Sequence, residues 1–203
     1  LALLNDPSLL KTDGLINGQW VAGGSRFDVN DPATGLKLAD VANLGPADAE
    51  AAIAAANKAW GPWKTKTAKE RSNILRKWFD LLMANQDALG RLMPAEQGRP
   101  LAEAKGEVAY GASFVEWFAE EAKRVNGEVL PLDTAPTGAG RFGFTTRIPY
   151  GVVAAITPFN GPVNLLVQKI APAIAVGNAV VVKPSPPGTE VALLIADAVK
   201  KAG

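Results

Sequence analysis

The chain has 203 residues, enough to bury a sizeable core in one or two domains. Lys and Arg number 21 against 20 Asp and Glu, so nothing in the charge balance indicates nucleic acid or an acidic membrane as a partner. The chain contains no Cys and no His, which excludes disulfides, a thiolate nucleophile and a histidine proton shuttle within it. Its apolar runs are too short to span a bilayer, and its first residues lack the basic flank of a signal peptide. Composition therefore predicts a soluble, cytoplasmic protein without a metal site.

The first half of the chain predicts short strands followed by helices. Asn17 and Gly18 lie between apolar residues and indicate a β-hairpin, because a type I′ turn requires positive φ at both central positions. Further strands are predicted over residues 27–30 and 36–41. Thr67 and Glu70 form a capping box that opens a helix. The predicted helices cover residues 46–60, 68–84, 86–96 and 100–126.

Residues 128–149 are rich in Gly and Pro and predict an extended excursion from the globule. Within them, Gly138, Gly140 and Gly143 fit the pattern G-x-G-x-x-G. That pattern binds a dinucleotide when it follows a strand and opens a helix, whose N-terminus receives the pyrophosphate. Here the sequence continues as an extended segment, so we expect no dinucleotide site at these glycines.

The last fifty residues predict a βαβ unit. Residues 151–156 and 179–183 are strands expected to be buried on both faces, and residues 162–174 between them have helical spacing. Such strands lie parallel and end at one edge of the sheet, where ligands bind. Asn160 follows the first strand and Lys183 closes the second, so an amide and a cation would face a common crevice. The residue types leave an alternative open, in which Asn160 caps the helix and Lys183 is a solvated strand end.

The βαβ segment also carries a family resemblance. T-P-F-N-G-P, followed by K-I-A-P-A-I-A-V-G-N-A-V-V-V-K-P-S, resembles the signature of the aldehyde dehydrogenase superfamily, P-W-N-x-P, K-x-x-P-A-L-A-x-G-N and V-x-K-P. The resemblance implies that Asn160 is a catalytic residue that stabilises an oxyanion, and that Lys183 binds the ribose hydroxyls of NAD or NADP. It also implies cofactor contacts on the nicotinamide side, where Phe159 replaces the commoner Trp. These contacts are Ile156, Thr157, Pro158 and Phe159.

The resemblance implies an α/β fold, the N-terminal part of the aldehyde dehydrogenase fold, with an incomplete parallel Rossmann-like sheet. Residues 1–127 would form the first strands and helices of the cofactor domain. Residues 128–149 would be an oligomerisation arm, and residues 150–203 the first βαβ unit of the NAD(P)-binding sheet. The catalytic domain would lie outside this chain.

The activity implied is oxidation of a small-molecule aldehyde to a carboxylic acid by a homo-oligomer, a dimer or a tetramer. That reaction needs a Cys nucleophile and a Glu base, which family members carry beyond the matching region. We therefore expect the chain to be the N-terminal portion of such an enzyme and inactive by itself. The alternatives are a non-catalytic nucleotide-binding or assembly module, and one half of a split enzyme.

One further stretch resembles the succinate-semialdehyde dehydrogenase branch, residues 96–124, which begin E-Q-G-R-P-L. That branch grips a distal carboxylate with an Arg eight residues after the oxyanion Asn. This chain has Gln168 there, which cannot provide a bidentate charged contact. Succinate semialdehyde, or a related semialdehyde, is therefore a candidate substrate, with Gln168 as the substrate residue.

Cofactor choice depends on the turn after Lys183. Relatives that prefer NAD often carry a Glu three positions later, and Pro186 stands there in this chain. Ser185 and the N-terminus of the helix that begins near Thr189 are expected to help bind a phosphate. Glu190 is close enough to oppose it, so the sequence favours NADP only slightly.

Overall fold

The structure, a computed structural model, describes residues 4–203; residues 1–3 of the predicted first segment lie outside the described residues. The N-terminal part consists of two antiparallel hairpins. Asn17 and Gly18 form the predicted turn of the first hairpin, with φ of 51° and 72°. The strands are β1 Gly14–Ile16, β2 Gln19–Val21, β3 Arg26–Asn30 and β4 Lys37–Ala42.

Four helices follow the hairpins, as the sequence predicts. Thr67 and Glu70 form the predicted capping box, in which the Thr67 hydroxyl accepts the Glu70 N–H and the Glu70 carboxylate accepts the Thr67 N–H. The helices are α1 Pro46–Thr65, α2 Ala68–Ala84, α3 Gln86–Gln97 and α4 Leu101–Glu121.

Two of the predicted helix ends are wrong. Helix α1 continues past the predicted stop at Trp60. The indole N–H groups of Trp60 and Trp63 donate to the backbone carbonyls of Gly177 and Ile174, and these hydrogen bonds hold the last turn of α1 in place. Helix α4 ends five residues early, and the chain then enters residues 128–149, where the Glu128 N–H donates to the Thr145 hydroxyl at 3.0 Å.

The C-terminal segment is the predicted βαβ unit. Its strands run parallel, and the last residues of the two strands, Ile156 and Lys183, lie opposite each other. A final helix packs against α2 and α3. The elements are β7 Val152–Ile156, α5 Asn164–Ala175, β8 Ala179–Lys183 and α6 Thr189–Ala202, and β5 Val129–Leu130 and β6 Gly143–Phe144 precede them.

The expectation that β7 and β8 are buried on both faces is wrong. Val180 and Val182 pack against the main core with one face of β8. Ile156, by contrast, is 70% exposed, and Ala155 alone in β7 is fully buried. Parallel strands are buried on both faces only where other elements cover both faces. Within residues 4–203 this sheet has two strands, and its faces are only partly covered.

The main hydrophobic core lies between α2, α3, α4, α5 and α6. Trp78 of α2 belongs to this core and is 1% exposed. Each large apolar side chain buried there stabilises the fold by about 1.5–3 kcal/mol. Its largest fully buried members are Leu75, Trp78, Leu82, Leu89, Leu92, Met93, Val108, Val115, Val163, Leu166 and Ile195.

Residues 128–149 leave this core. Strands β5 and β6 form a short antiparallel pair. Gly143, the last glycine of the G-x-G-x-x-G pattern, begins β6, so the prediction that the sequence continues there as an extended segment is confirmed. Apolar side chains here are exposed, namely Val129, Leu130, Phe142, Phe144 and Ile148. Across residues 4–203, no helix is both long and apolar enough to cross a membrane.

Candidate functional site

The candidate site lies where β7 and β8 end together. Ile156 pairs with Lys183, and the next residue, Thr157, donates its N–H to the Lys183 carbonyl at 3.2 Å. Two loops leave this edge, residues 157–163 toward α5 and residues 184–188 toward α6. Both segments of the predicted cofactor site are therefore brought to one edge of the sheet, as the parallel topology requires.

Asn160 lies in the first of these loops with an exposed side chain. Helix α5 has Val163 at its N-cap and no side-chain cap, so the alternative in which Asn160 caps the helix is wrong. The Asn160 backbone carbonyl accepts a hydrogen bond from the Arg99 guanidinium at 2.6 Å. Its side-chain amide bonds no other group in residues 4–203, which leaves it available as a donor at the crevice.

Glu107 of α4 takes the capping role. Its Oε1 accepts the N–H groups of Val163 and Asn164, both at 3.1 Å, and the same carboxylate forms an ion pair with Arg99. Glu107 and Arg99 together fix the loop that carries Asn160. Sequence reasoning missed both residues, since neither differs in pattern from a solvated helix charge.

Lys183 is exposed at the end of β8, on the same sheet edge, and forms no salt bridge within residues 4–203. The turn after it is held by Thr189, whose hydroxyl donates to the carbonyls of Ser185 and Pro186 at 3.0 and 2.9 Å. The Ser185 side chain makes no hydrogen bond within that part of the chain. A cation and a hydroxyl are thus available beside the strand end.

The N-terminus of α6 is occupied by a side chain. Glu96, near the end of α3, accepts the N–H groups of Glu190 and Val191 at 2.9 and 3.1 Å, one on each carboxylate oxygen. These N–H groups point at Glu96, so the expectation that they help bind a phosphate is wrong. Sequence reasoning missed Glu96, because its partners lie far along the chain.

Two carboxyl groups are buried at this helix start. Burial raises the pKa of Glu96 to about 8, and the backbone hydrogen bonds from Glu190 and Val191 counteract part of that rise. Burial likewise raises the pKa of Glu190 to about 7. Glu190 is only 3% exposed, so it presents no carboxylate at the surface of the turn, contrary to the expectation that it would oppose a phosphate there.

Gln97, the last residue of α3, contacts both loops of the site. Its Nε2 donates to the Phe159 carbonyl at 2.6 Å, and the Pro187 carbonyl lies 3.4 Å from the same nitrogen. In the sequence, Gln97 counts only as part of the E-Q-G-R-P-L stretch, and nothing in the local pattern indicates this bridge.

The remaining predicted site residues, those next to Asn160 in the first loop and Gln168 in α5, differ in exposure. Phe159 is 58% exposed and Pro158 is exposed, whereas Thr157 is buried. Gln168 lies in α5, half-buried, and donates its Nε2 to the Asn164 side-chain oxygen at 2.8 Å. Gln168 is thus bonded to its own helix, and no hydrogen bond joins it to Asn160 or Lys183 within residues 4–203.

Comparison with known proteins places the fold in a family. The family model described as "Aldehyde dehydrogenase family" matches residues 20–203. The structure also resembles a crystal structure of aldehyde dehydrogenase from Brucella melitensis biovar abortus 2308, with a TM-score of 0.95 and 48% identity, covering 100% of this chain and 41% of that one. The chain belongs to the aldehyde dehydrogenase family, and its fold is the N-terminal part of that family's α/β fold, with small, incomplete sheets.

Curated relatives agree with this assignment. The chain is 48% identical over 202 residues to a 3-sulfolactaldehyde dehydrogenase of Pseudomonas putida, covering 98% of this chain and 41% of the relative. It is 46% identical, with the same coverage, to the NADP(+) succinate-semialdehyde dehydrogenase of Escherichia coli K12. The chain therefore spans about two fifths of the length of the curated relatives that it matches.

Proposed function

We propose that this chain is the N-terminal portion of an NAD(P)-dependent enzyme that oxidises an aldehyde to a carboxylic acid. The observation that carries the proposal is the juxtaposition at the edge of a parallel β-pair. There the Lys183 ammonium and the Asn160 amide, both exposed and without side-chain partners in residues 4–203, lie at the same edge of the sheet in a chain of this family.

The crevice fits a dinucleotide by its chemistry. Lys183 would donate to the ribose hydroxyls, and residues 156–159 would line the nicotinamide side. The bound cofactor supplies a hydride acceptor. Asn160 would donate its amide to the oxygen that becomes negative when a nucleophile adds to the aldehyde, an electrostatic role for a preorganised donor. The nucleophile would come from a part of the protein outside this chain, since this chain contains no Cys.

We propose NADP as the preferred cofactor. The turn carries Pro186 rather than a carboxylate, and the Ser185 hydroxyl, which makes no hydrogen bond within residues 4–203, could donate to a phosphate oxygen. Glu190 is buried, so its carboxylate does not repel a phosphate at the turn. Glu96 occupies the N-terminus of α6, so that helix end does not attract the phosphate either. The Escherichia coli relative is named as an NADP(+) enzyme, which agrees with this choice.

For the substrate, we propose an aldehyde that carries an anionic group at its far end. Two relatives are named for such aldehydes, a semialdehyde and a sulfo-aldehyde. We retain Gln168 as the substrate residue, because its position matches that of the carboxylate-binding Arg in the succinate-semialdehyde branch. Its neutral amide favours a weaker contact than an Arg would make.

The domain boundaries given above remain part of the proposal. Residues 128–149 would serve as the arm of a homo-oligomer, supported by the short β5–β6 pair and its exposed apolar side chains. A cytoplasmic location is proposed from composition alone.

The test uses the full-length protein that contains this chain. We expect formation of NADPH or NADH that depends on added aldehyde, and a fall in kcat of roughly 10²- to 10³-fold in Asn160→Ala. Asn57, an exposed residue of α1, provides the control, because Asn57→Ala should leave kcat unchanged. Cofactor binding without aldehyde oxidation would favour a nucleotide-binding module. Full activity in Asn160→Ala would contradict the role of that amide.

A further inference from the structure

We propose that Gln97 is a positioning residue, whose side-chain amide holds the two loops of the nucleotide crevice at a fixed separation. The inference rests on the proposed function, and it adds a residue that the resemblance did not assign to the site. The inference depends on the position of one atom, Nε2 of Gln97, which lies between the carbonyls of Phe159 and Pro187.

Each of these carbonyls belongs to a different side of the site. Phe159 directly precedes Asn160, the proposed oxyanion donor, and Pro187 directly follows Pro186 in the turn after Lys183. A change in either hydrogen bond therefore alters the distance between the oxyanion amide and the ribose-binding cation. That distance must match the cofactor, because a site binds best when its groups are already in place.

The two loops also touch each other at Gln97. A Cβ atom added at Gly188 would lie 2.9 Å from the Cβ of Pro162 and 3.0 Å from Nε2 of Gln97. Gly188 has φ of 104°, which favours glycine, and a side chain at this position would have to displace Pro162 or Gln97. Gln97 thus lies at the contact between the loops.

Gln97 is itself held firmly on both sides. Its neighbour Glu96 is 4% exposed and bonds the start of α6, and Arg99 bonds the Asn160 carbonyl and Glu107. Three side chains within four residues therefore bind the two loops and the start of α6 that follows the second loop. Glu96 and Arg99 each contact one side, whereas Gln97 contacts both, which distinguishes its role.

The test compares substitutions at Gln97 with the same substitutions at Gln86 in the full-length protein. Gln86 lies at the other end of α3, is also half-buried, and donates its Nε2 to the Lys105 carbonyl at 3.0 Å. It bonds no residue of the crevice, so it matches Gln97 in helix, chemistry and burial. The Gln→Met substitution keeps the length and removes the donor, whereas Gln→Glu places an oxygen against carbonyl oxygens.

The readout is the dissociation constant of NADP measured by fluorescence titration, with thermal unfolding recorded in parallel. We expect Gln97→Met to raise the dissociation constant roughly 3- to 30-fold, the effect of losing one to two net hydrogen bonds, and Gln97→Glu to raise it more. Gln97→Lys restores a donor of similar reach and should recover most of the affinity. Gln86→Met should lower the melting temperature by about as much as Gln97→Met does, and leave the dissociation constant of NADP unchanged.

Two results would overturn the inference. An unchanged dissociation constant in Gln97→Met and Gln97→Glu would show that the bridge does not position the site. An equal rise in Gln86→Met would show that any weakening of α3 has the same effect. If the wild-type protein binds neither NADP nor NAD, the proposed function itself fails and the inference falls with it, which distinguishes the two failures.

Discussion

The carboxylate of Glu96 accepts the backbone N–H of Glu190 at 2.9 Å and so joins the end of α3 to the start of α6 across 94 residues of chain. The contact shows how this fold organises its crevice. The N-termini of both crevice helices are capped by glutamates from other helices, α6 by Glu96 and α5 by Glu107. The loops that carry the site therefore depend on α3 and α4.

The two glutamate caps differ in geometry, which predicts different responses to the same substitution. Above about pH 8, where the Glu96 carboxyl is ionised, each of its oxygens accepts one N–H, so in Glu96→Gln one N–H must face an amide NH₂, at a cost of about 1–3 kcal/mol. The comparison is therefore made above that pH. Glu107 accepts both N–H groups on Oε1, so an amide oxygen can retain both in Glu107→Gln.

Hydrogen exchange of the first turns of α5 and α6 measures this difference. In Glu96→Gln, we expect exchange at the start of α6 to accelerate roughly ten-fold or more. In Glu107→Gln, the start of α5 should change much less. Equal acceleration in the two variants would contradict the geometric account.

The buried carboxyls predict a pH dependence. The pKa values of Glu96 and Glu190 rise from 4.5 in the unfolded chain to about 8 and about 7 in the fold, because both groups are buried. Between the unfolded and folded pKa values, the native state binds more protons than the unfolded state. The contribution of these two groups to the free energy of unfolding is therefore greatest below about pH 4.5 and falls as pH rises toward about 8.

Protection factors of the α6 amides, which correct for the intrinsic pH dependence of exchange, measure this fall. We expect protection to decrease roughly ten-fold or more between about pH 5 and pH 8. Glu190→Gln removes one titrating group and should reduce the decrease, whereas Glu103→Gln, at an exposed position of α4, should not. Protection that rises with pH would contradict the burial of these groups.

Two glycines of α4 provide a matched test of how closely α4 and α5 pack. A Cβ at Gly111 would lie 2.9 Å from Cγ1 of Val163, next to the loop that carries Asn160, whereas a Cβ at Gly106 meets no atom within 4 Å. Gly111→Ala should destabilise the protein by about 1–3 kcal/mol through overpacking. Gly106→Ala should stabilise it by about 0.5–1 kcal/mol through helix propensity.

Thermal unfolding of the two alanine variants in the full-length protein distinguishes these effects. The melting temperature should fall in Gly111→Ala and rise slightly in Gly106→Ala. If both variants melt above the wild type, α4 and α5 are not in close contact at Gly111.

Local signals explain most of what the sequence predicts correctly. The Asn17–Gly18 turn, the Thr67 capping box and the βαβ unit each depend on residues within a short stretch, where periodicity and turn chemistry determine the backbone. Asn160 and Lys183 reach one edge because parallel topology brings successive strand ends together.

The parts that sequence reasoning missed depend on distant contacts. The partners of Gln97 lie 62 and 90 residues away, and those of Glu107 56 and 57 residues away. A glutamate that caps a distant helix has the same local pattern as one on a solvated face. The exposure of Ile156 was likewise not predicted, because the burial of a strand depends on neighbours that its own apolar run does not specify.

The most direct test of the proposed site is the NADP dissociation constant of Lys183→Gln in the full-length protein, compared with the wild type. Lys58, an exposed residue of α1, provides the control through Lys58→Gln. We predict a rise of roughly ten-fold or more in Lys183→Gln, the effect of losing a charge-assisted hydrogen bond, and no change in Lys58→Gln. An unchanged dissociation constant in Lys183→Gln, or an equal rise in both variants, would contradict a nucleotide site at this edge of the sheet.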